Sequence, residues 1–270
     1  MARGDLPADG ELQLGPVRLP PGRRIVPWEE PGPPVAWVTH GPVPQPGPVW
    51  SALSGLHAET GLVPVLLAAD EAEHDFFFAL PGELAGIDRV DPAQLLAQRW
   101  ADWMAVDEDD DEDEDEWPPG TAPDGAHPFP GLAPASGSRL IDAERDRALD
   151  ALPAAHVGLV PAARPADVPA VVGWTTFDDP SYPDDIRNAV WIGAVLCSWA
   201  DRFGARLLRV GPGAEITLLV DRPPRTTDAA ARIAAEHCAF CDECAGLGLR
   251  TVPQVAQAIL DAPTWTFWWD

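Results

Sequence analysis

The chain has 270 residues, of which 46% are hydrophobic, and a formal net charge of −25 at pH 7. This length suits two domains, and this apolar content is sufficient for a sizeable buried core. All 18 basic residues are arginine, so the chain can form neither a Schiff base with pyridoxal phosphate nor the lysine-containing phosphate loop of nucleotide-binding proteins.

Negative charge is concentrated in an uninterrupted run of carboxylates from Asp107 to Glu116. A surface this negative repels phosphate groups, so we expect no binding to nucleic acid or to an anionic membrane. Runs of like charge usually form solvated linkers, and we favour that interpretation of the run. The alternative is that the run mimics nucleic acid towards a basic protein.

Three features favour a cytoplasmic protein with reduced thiols. The N-terminal residues lack an apolar segment of signal-peptide length. The longest apolar stretch, Gly61 to Ala69, is too short to span a bilayer. The four cysteines are not spaced like a secreted disulfide framework.

Residues 1–105 are predicted to form a small α+β domain. The alternating stretch from Glu11 to Leu19 is typical of an edge strand. One predicted helix ends at Gly61, and a second begins at Pro92. Further strands are predicted at Val35–Val38, Leu62–Ala68 and Phe76–Phe78.

Residues 106–138 combine the acidic run with proline, glycine and serine, and we predict a linker there. This composition cannot bury enough apolar surface to offset the entropy lost on ordering. Residues 139–270 are predicted to form a larger α+β domain, which begins with a short helix from Asp142 to Leu152.

Within this larger domain, Val168–Trp174 is predicted as a strand, and Asp184 or Asp185 as the cap of the following helix. An apolar stripe identifies that helix, which ends at Gly204. Its stripe comprises Ile192, Val195, Leu196, Trp199 and Phe203. The remaining predicted strands are Arg206–Val210, Ile216–Val220 and Trp265–Asp270, and two further helices are predicted with caps at Thr226 or Thr227 and at Thr251.

This order of elements is that of the ferredoxin-like, or split βαβ, sandwich. The N-terminal part follows the same order as far as its second helix. One alternative is therefore that the chain is a tandem of two related units.

Several short motifs lie in the C-terminal part: Gly173-Trp174, Arg202-Phe203-Gly204-Ala205, Ala235-Glu236-His237 and Trp268-Trp269-Asp270. Together they resemble the bacterial family known as domain of unknown function 4253, over about residues 173–270. The resemblance supports the domain boundary and implies no activity, because none is assigned to that family. The sequence departs from the family pattern around Cys238 and Cys244.

His237, Cys238, Cys241 and Cys244 form a group with the residue types of a zinc site. On a regular helix, Cys238 and Cys244 stand about 9 Å apart along the axis, too far for both sulfurs to bind one ion. We favour core packing of these side chains and no cofactor. The alternative is a zinc ion held by His237 and Cys241, with Cys197, Cys244 or a nearby carboxylate as further ligands.

Glu236, His237 and Cys241 are the candidate catalytic residues. Histidine titrates near neutral pH, burial can raise the pKa of a glutamate, and His237 could activate the Cys241 thiol as a nucleophile. Adjacent residues on a helix point about 100° apart, however, so Glu236 and His237 do not form a ready dyad. A histidine with its hydrogen bonds satisfied, at a boundary between helix and sheet, is the interpretation we favour.

Two candidate binding surfaces contain aromatic residues. On a strand, Trp265, Phe267 and Trp269 share one face, which we predict to be core. Trp268 and Asp270 take the other face, and we favour core packing of that face as well. The alternative is that the second face is open and that these two residues form a contact patch, because tryptophan is enriched at binding hot spots. Tyr182 and Asp184 lie in an acidic loop that suits either a hydrated turn or cation binding.

We therefore predict a non-enzymatic protein-binding or regulatory module, immunity-like in its role, with another protein, of basic character, as its partner. The alternative is a small metal-dependent or Cys/His-dependent enzyme that uses Glu236, His237 and Cys241. The enzyme requires these three side chains to converge on a cleft that solvent can reach. The sequence does not indicate an oligomeric state.

Overall fold

The computed structural model of the chain describes residues 4–27, 32–68, 84–105, 128–135, 138–174, 189–211, 215–241 and 251–269. Within these ranges the protein is a mixed α+β fold, with one open sheet of eight strands and helices on both of its faces.

The strands are β1 (Gly10–Leu14), β2 (Val17–Ile25), β3 (Ala36–Thr39), β4 (Leu62–Ala68), β5 (Ala155–Pro161), β6 (Ala205–Val210), β7 (Glu215–Val220) and β8 (Thr264–Trp268). The helices are α1 (Pro46–Gly55), α2 (His57–Thr60), α3 (Leu84–Ile87), α4 (Pro92–Ala105), α5 (Asp142–Asp150), α6 (Val168–Val171), α7 (Ala189–Phe203), α8 (Thr227–Phe240) and α9 (Val252–Ile259). A 3₁₀ turn, Pro165–Asp167, leads into α6.

The strand order is β1-β2-β3-β5-β4-β6-β7-β8, so β1 and β8 are the two edges of the described sheet. The β4–β6 pair is parallel, and the other neighbouring strands are antiparallel. Strand β4 pairs with β5 over its whole length. The sheet thus combines strands from both sides of residues 106–138, and the division into domains stays a prediction.

Each face of the sheet supports its own core. The larger core lies under α4, α7, α8 and α9 and is rich in aromatic side chains. The smaller core lies under α1 and α5. Strand β6 contributes to both, because Leu207 belongs to the larger core and Leu208 to the smaller one.

Local signals located most of these elements correctly. Gly61 (φ 67°) and Gly204 (φ 64°) adopt the left-handed conformation directly after α2 and α7, as predicted. The Thr226 side chain accepts a hydrogen bond from the backbone N–H of Ala229 and caps α8. Thr251 caps α9 in the same way.

The predicted strand at Val168–Trp174 is wrong. Residues 165–171 form the 3₁₀ turn and α6, with Pro169 in the first turn of that helix, where its missing N–H costs nothing. A short buried apolar run fits a strand or a helix equally well, so the spacing of its apolar residues could not distinguish the two. The strand that the sequence did not reveal is β5, which contains Gly158, a residue of low strand propensity.

The ferredoxin-like arrangement predicted for the C-terminal part is not confirmed, because β4 from the N-terminal half lies between β5 and β6. The predicted single edge strand from Glu11 to Leu19 is a hairpin of β1 and β2 instead, which reverses after Gly15 (φ 53°). The strand predicted at Phe76–Phe78 lies outside the described residues.

Candidate functional site

The two faces of β8 have different environments. The core face carries Trp265, Phe267 and Trp269, each 1% exposed. On the other face, Thr264, Thr266 and Trp268 are all partly exposed. The predicted alternation of the tryptophans is thus confirmed, while the binding role of Trp268 stays a prediction.

A groove with a volume of about 610 Å³ lies on the face of the sheet that carries Thr264 and Thr266. Strands β6, β7 and β8 form its floor together with the end of β4, and the end of α5 with the chain that follows forms a wall. Its lining includes Leu66, Leu208, Thr217, Thr266, Ala151 and Leu152. This volume lies in the range of ligand-binding clefts.

The polar side chains of the groove floor bond to one another. Arg209 Nη1 lies 3.1 Å from Glu215 Oε1 in a partly exposed ion pair. The hydroxyls of Thr217 and Thr266 share a hydrogen bond of 3.2 Å across β7 and β8. The floor therefore presents a surface of balanced charge and mixed polarity.

Glu236, the first candidate catalytic residue, is the centre of a buried network. It is 0% exposed, and its two carboxylate oxygens accept bonds of 2.7 Å each from Nη1 and Nη2 of Arg202. The same oxygens accept bonds from Trp199 Nε1 at 2.8 Å and from the backbone N–H of Ala133 at 2.6 Å. Arg202 Nη1 also donates to the Ala133 carbonyl at 2.8 Å. This network joins α7, α8 and residues 128–135, and it satisfies a buried charge.

His237, the second candidate, lies in a box of aromatic rings. Its ring centroid is 4.6 Å from that of Trp265, 4.7 Å from that of Phe267 and 5.2 Å from that of Trp199. Burial lowers the pKa of His237 to about 3, so its imidazole is neutral at pH 7. Within the described residues Nε2 has no hydrogen-bond partner.

The cysteines occupy three different settings. Cys241 is 0% exposed, and its thiol donates to the Trp268 carbonyl at 3.0 Å. Cys238 is also buried. Cys197 is partly buried, and burial raises the pKa of its thiol to about 11, which keeps it protonated at neutral pH. Cys244 lies outside the described residues.

The chain does not bring the candidate zinc ligands together where it is described: among those residues, no group of three or more histidine, cysteine, aspartate or glutamate side chains could hold a metal ion. Glu236, His237 and Cys241 contact the larger core, on the opposite face of the sheet from the groove. The remaining candidates Tyr182, Asp184 and Asp270 lie outside the described residues.

Sequence reasoning missed the groove. A signal for it exists in the outward positions of the last two strands, where Thr217, Thr264 and Thr266 alternate with buried apolar residues. Small polar residues on a paired face indicate a face without a covering helix. The position of the wall after α5 has no such local signal.

Within the described parts of the chain, none of the helices combines the length and the apolar character needed to cross a membrane. Comparison with curated proteins and with solved structures gave no match. The family comparison confirms the resemblance indicated by the motifs, and its match begins within β5 rather than at Gly173. Residues 156–270, the C-terminal part of the chain, match the model of the family described as Domain of unknown function (DUF4253).

Proposed function

We propose that the protein is a non-enzymatic binding module for another, basic protein, with a regulatory, immunity-like role. The observation that carries this proposal is the groove on the open face of β6, β7 and β8, bordered by partly exposed residues of β8.

The groove and Trp268 form parts of one contact surface. Thr266 lines the groove, and Trp268 follows two residues later on the same face of β8. Tryptophan side chains next to a concave apolar surface are frequent centres of binding energy. The apolar lining near Ala151 and Leu152 can receive side chains of a partner.

The charge of the molecule selects the class of partner. A net charge of −25 attracts a basic protein over long distances and speeds its association at low salt. The same charge repels nucleic acid and anionic lipid surfaces. Binding of this kind requires no cofactor.

Two variants with the same substitution test the proposal. Ala151→Trp places an indole at an exposed position that lines the groove, whereas Ala97→Trp places one at an exposed position of α4, on the other face of the sheet. We expect the unchanged chain and Ala97→Trp to capture the same basic protein from lysate at low salt. Ala151→Trp should bind the purified partner at least about tenfold more weakly than the unchanged chain does. Added salt should lower the affinity of the unchanged chain and of both variants for the partner.

Two results would contradict the proposal. One is the absence of any reproducible partner at low salt. The other is a partner that binds Ala151→Trp and Ala97→Trp with equal affinity, because its contact surface would then lie away from the groove.

A further inference from the structure

We propose that β8 is a site of strand addition, at which an extended basic segment of the partner pairs with the β8 edge of the described sheet. This inference rests on the proposed function and specifies how the partner is held. It follows from the register of β8, the composition of the strand and the charge of the molecule.

The register determines which backbone groups of β8 are free. The Val220 N–H donates to the Pro263 carbonyl at 2.8 Å, and the pairing continues through Leu218↔Trp265 and Ile216↔Phe267. In an antiparallel ladder, hydrogen-bonded pairs recur at every second residue. The backbone groups of Trp265 and Phe267 are therefore directed towards β7.

By the same alternation, the N–H and C=O groups of Thr264, Thr266 and Trp268 point away from β7. The Trp268 carbonyl accepts a hydrogen bond from the Cys241 thiol. In the part of the chain that the structure describes, no strand pairs with this outer side of β8. Such an edge is a template on which an extended segment can form main-chain hydrogen bonds.

The composition of β8 favours pairing with a further strand, because it lacks the features that usually prevent such pairing. Its sequence, Thr-Trp-Thr-Phe-Trp, consists of residues with high strand propensity and contains neither a proline nor a charge. The opposite edge, β1, is interrupted by an irregular register between Gly10 and Leu12 and carries the charged Glu11. Natural sheets use such irregularities and charges to prevent pairing, so the two edges differ in the property that matters for strand addition.

Charge selects the occupant of the edge. A second copy of the chain would bring another net charge of −25 to the same place, which opposes self-pairing. An extended segment flanked by arginine or lysine is attracted instead. Its side chains on the groove side would lie beside Thr264 and Thr266, next to the apolar lining of the groove.

A set of three peptides tests the backbone pairing directly. The probe is the capped nonapeptide Arg-Arg-Thr-Val-Thr-Val-Thr-Arg-Arg. One derivative is N-methylated at both valines, which blocks one edge of the extended peptide. The other is N-methylated at one valine and the neighbouring threonine, which blocks both edges with the same number of methyl groups.

We expect the probe and the derivative with one blocked edge to bind the full chain, and the derivative with two blocked edges to bind at least about tenfold more weakly. In the complex, amide hydrogen exchange at Thr264 and Thr266 should slow at least about tenfold, while exchange at Trp265 and Phe267, already protected by β7, should change little.

Equal binding by the two methylated derivatives, or unchanged exchange at Thr264 and Thr266 in the bound state, would overturn strand addition. Failure of all three peptides to bind would overturn it as well. Slowed exchange that depends on protein concentration without peptide would assign the edge to a second copy. The proposed function is tested separately, by capture of a partner by the unchanged chain and by the weaker binding of that partner to Ala151→Trp. Failure of strand addition is therefore distinguishable from failure of the proposed function.

Discussion

The two faces of the C-terminal strands differ in what their residues do. The core face contacts the residues with the most reactive chemistry, Glu236, His237 and Cys241, and buries all three. The groove face carries threonine, alanine and leucine beside the Arg209–Glu215 ion pair, and it is the face that we propose for binding a partner. The type of a residue indicates which chemistry it can perform, whereas its burial and hydrogen bonding determine whether that chemistry is available.

The core face is most sharply tested by removing the carboxylate at its centre. Glu236→Ala leaves Trp199 Nε1 and the Ala133 N–H without their acceptor and removes the carboxylate that pairs with the Arg202 guanidinium. We expect the free energy of unfolding to fall by about 3–5 kcal/mol in a denaturant titration, because one partner of a buried ion pair is left uncompensated.

The matched control is Glu11→Ala. Glu11 forms a 2.7 Å ion pair with Arg18, but both side chains are more than half exposed, so its loss should change the free energy of unfolding little. Equal changes in the free energy of unfolding would mean that Glu236 is not a structural centre of the core. They would contradict the structural role that we assign to the core face.

A smaller effect is expected from the pH dependence of stability. Burial holds the pKa of His237 at about 3, below its ordinary value of 6.5. As the pH falls below 6.5, the unfolded chain binds a proton that the folded protein does not bind until about pH 3. This histidine therefore lowers the free energy of unfolding as the pH falls through that window, by at most about 1.4 kcal/mol per pH unit.

His237→Phe removes this titration and keeps a ring in the aromatic box. Between about pH 4.5 and 6, we expect the stability of His237→Phe to depend less steeply on pH than that of the unchanged protein. His40→Gln, at an exposed position, should retain the original slope. Identical slopes in all three proteins would show that the imidazole of His237 is reached by protons in the folded state.

Local chemistry made several features predictable from the sequence. The caps of α8 and α9, the glycine that follows α7 and the alternation of tryptophans in β8 each depend on a few neighbouring residues. Such signals act within a turn of helix or two residues of strand.

Features that depend on distant pairing were not predictable. Strand β4 lies between β5 and β6, and its contacts with both are set by a sheet assembled from segments far apart in the chain. The groove likewise exists because α5 ends beside the floor formed by β6, β7 and β8. Of the surface proposed for binding, the sequence indicated Trp268, and the alternation around Thr217 and Thr266 is a local signal that sequence reasoning missed, whereas Ala151 emerged only from the fold.

The difference between the two faces of β8 can be measured directly by hydroxyl-radical oxidation of its tryptophans in the free protein. Because Trp265 and Trp269 are 1% exposed and Trp268 is partly exposed, we predict that Trp268 oxidises at least about tenfold faster than the other two. Addition of the captured partner should protect Trp268. Equal oxidation of the three indoles in the free protein would contradict the assignment of one face to the core and the other to binding.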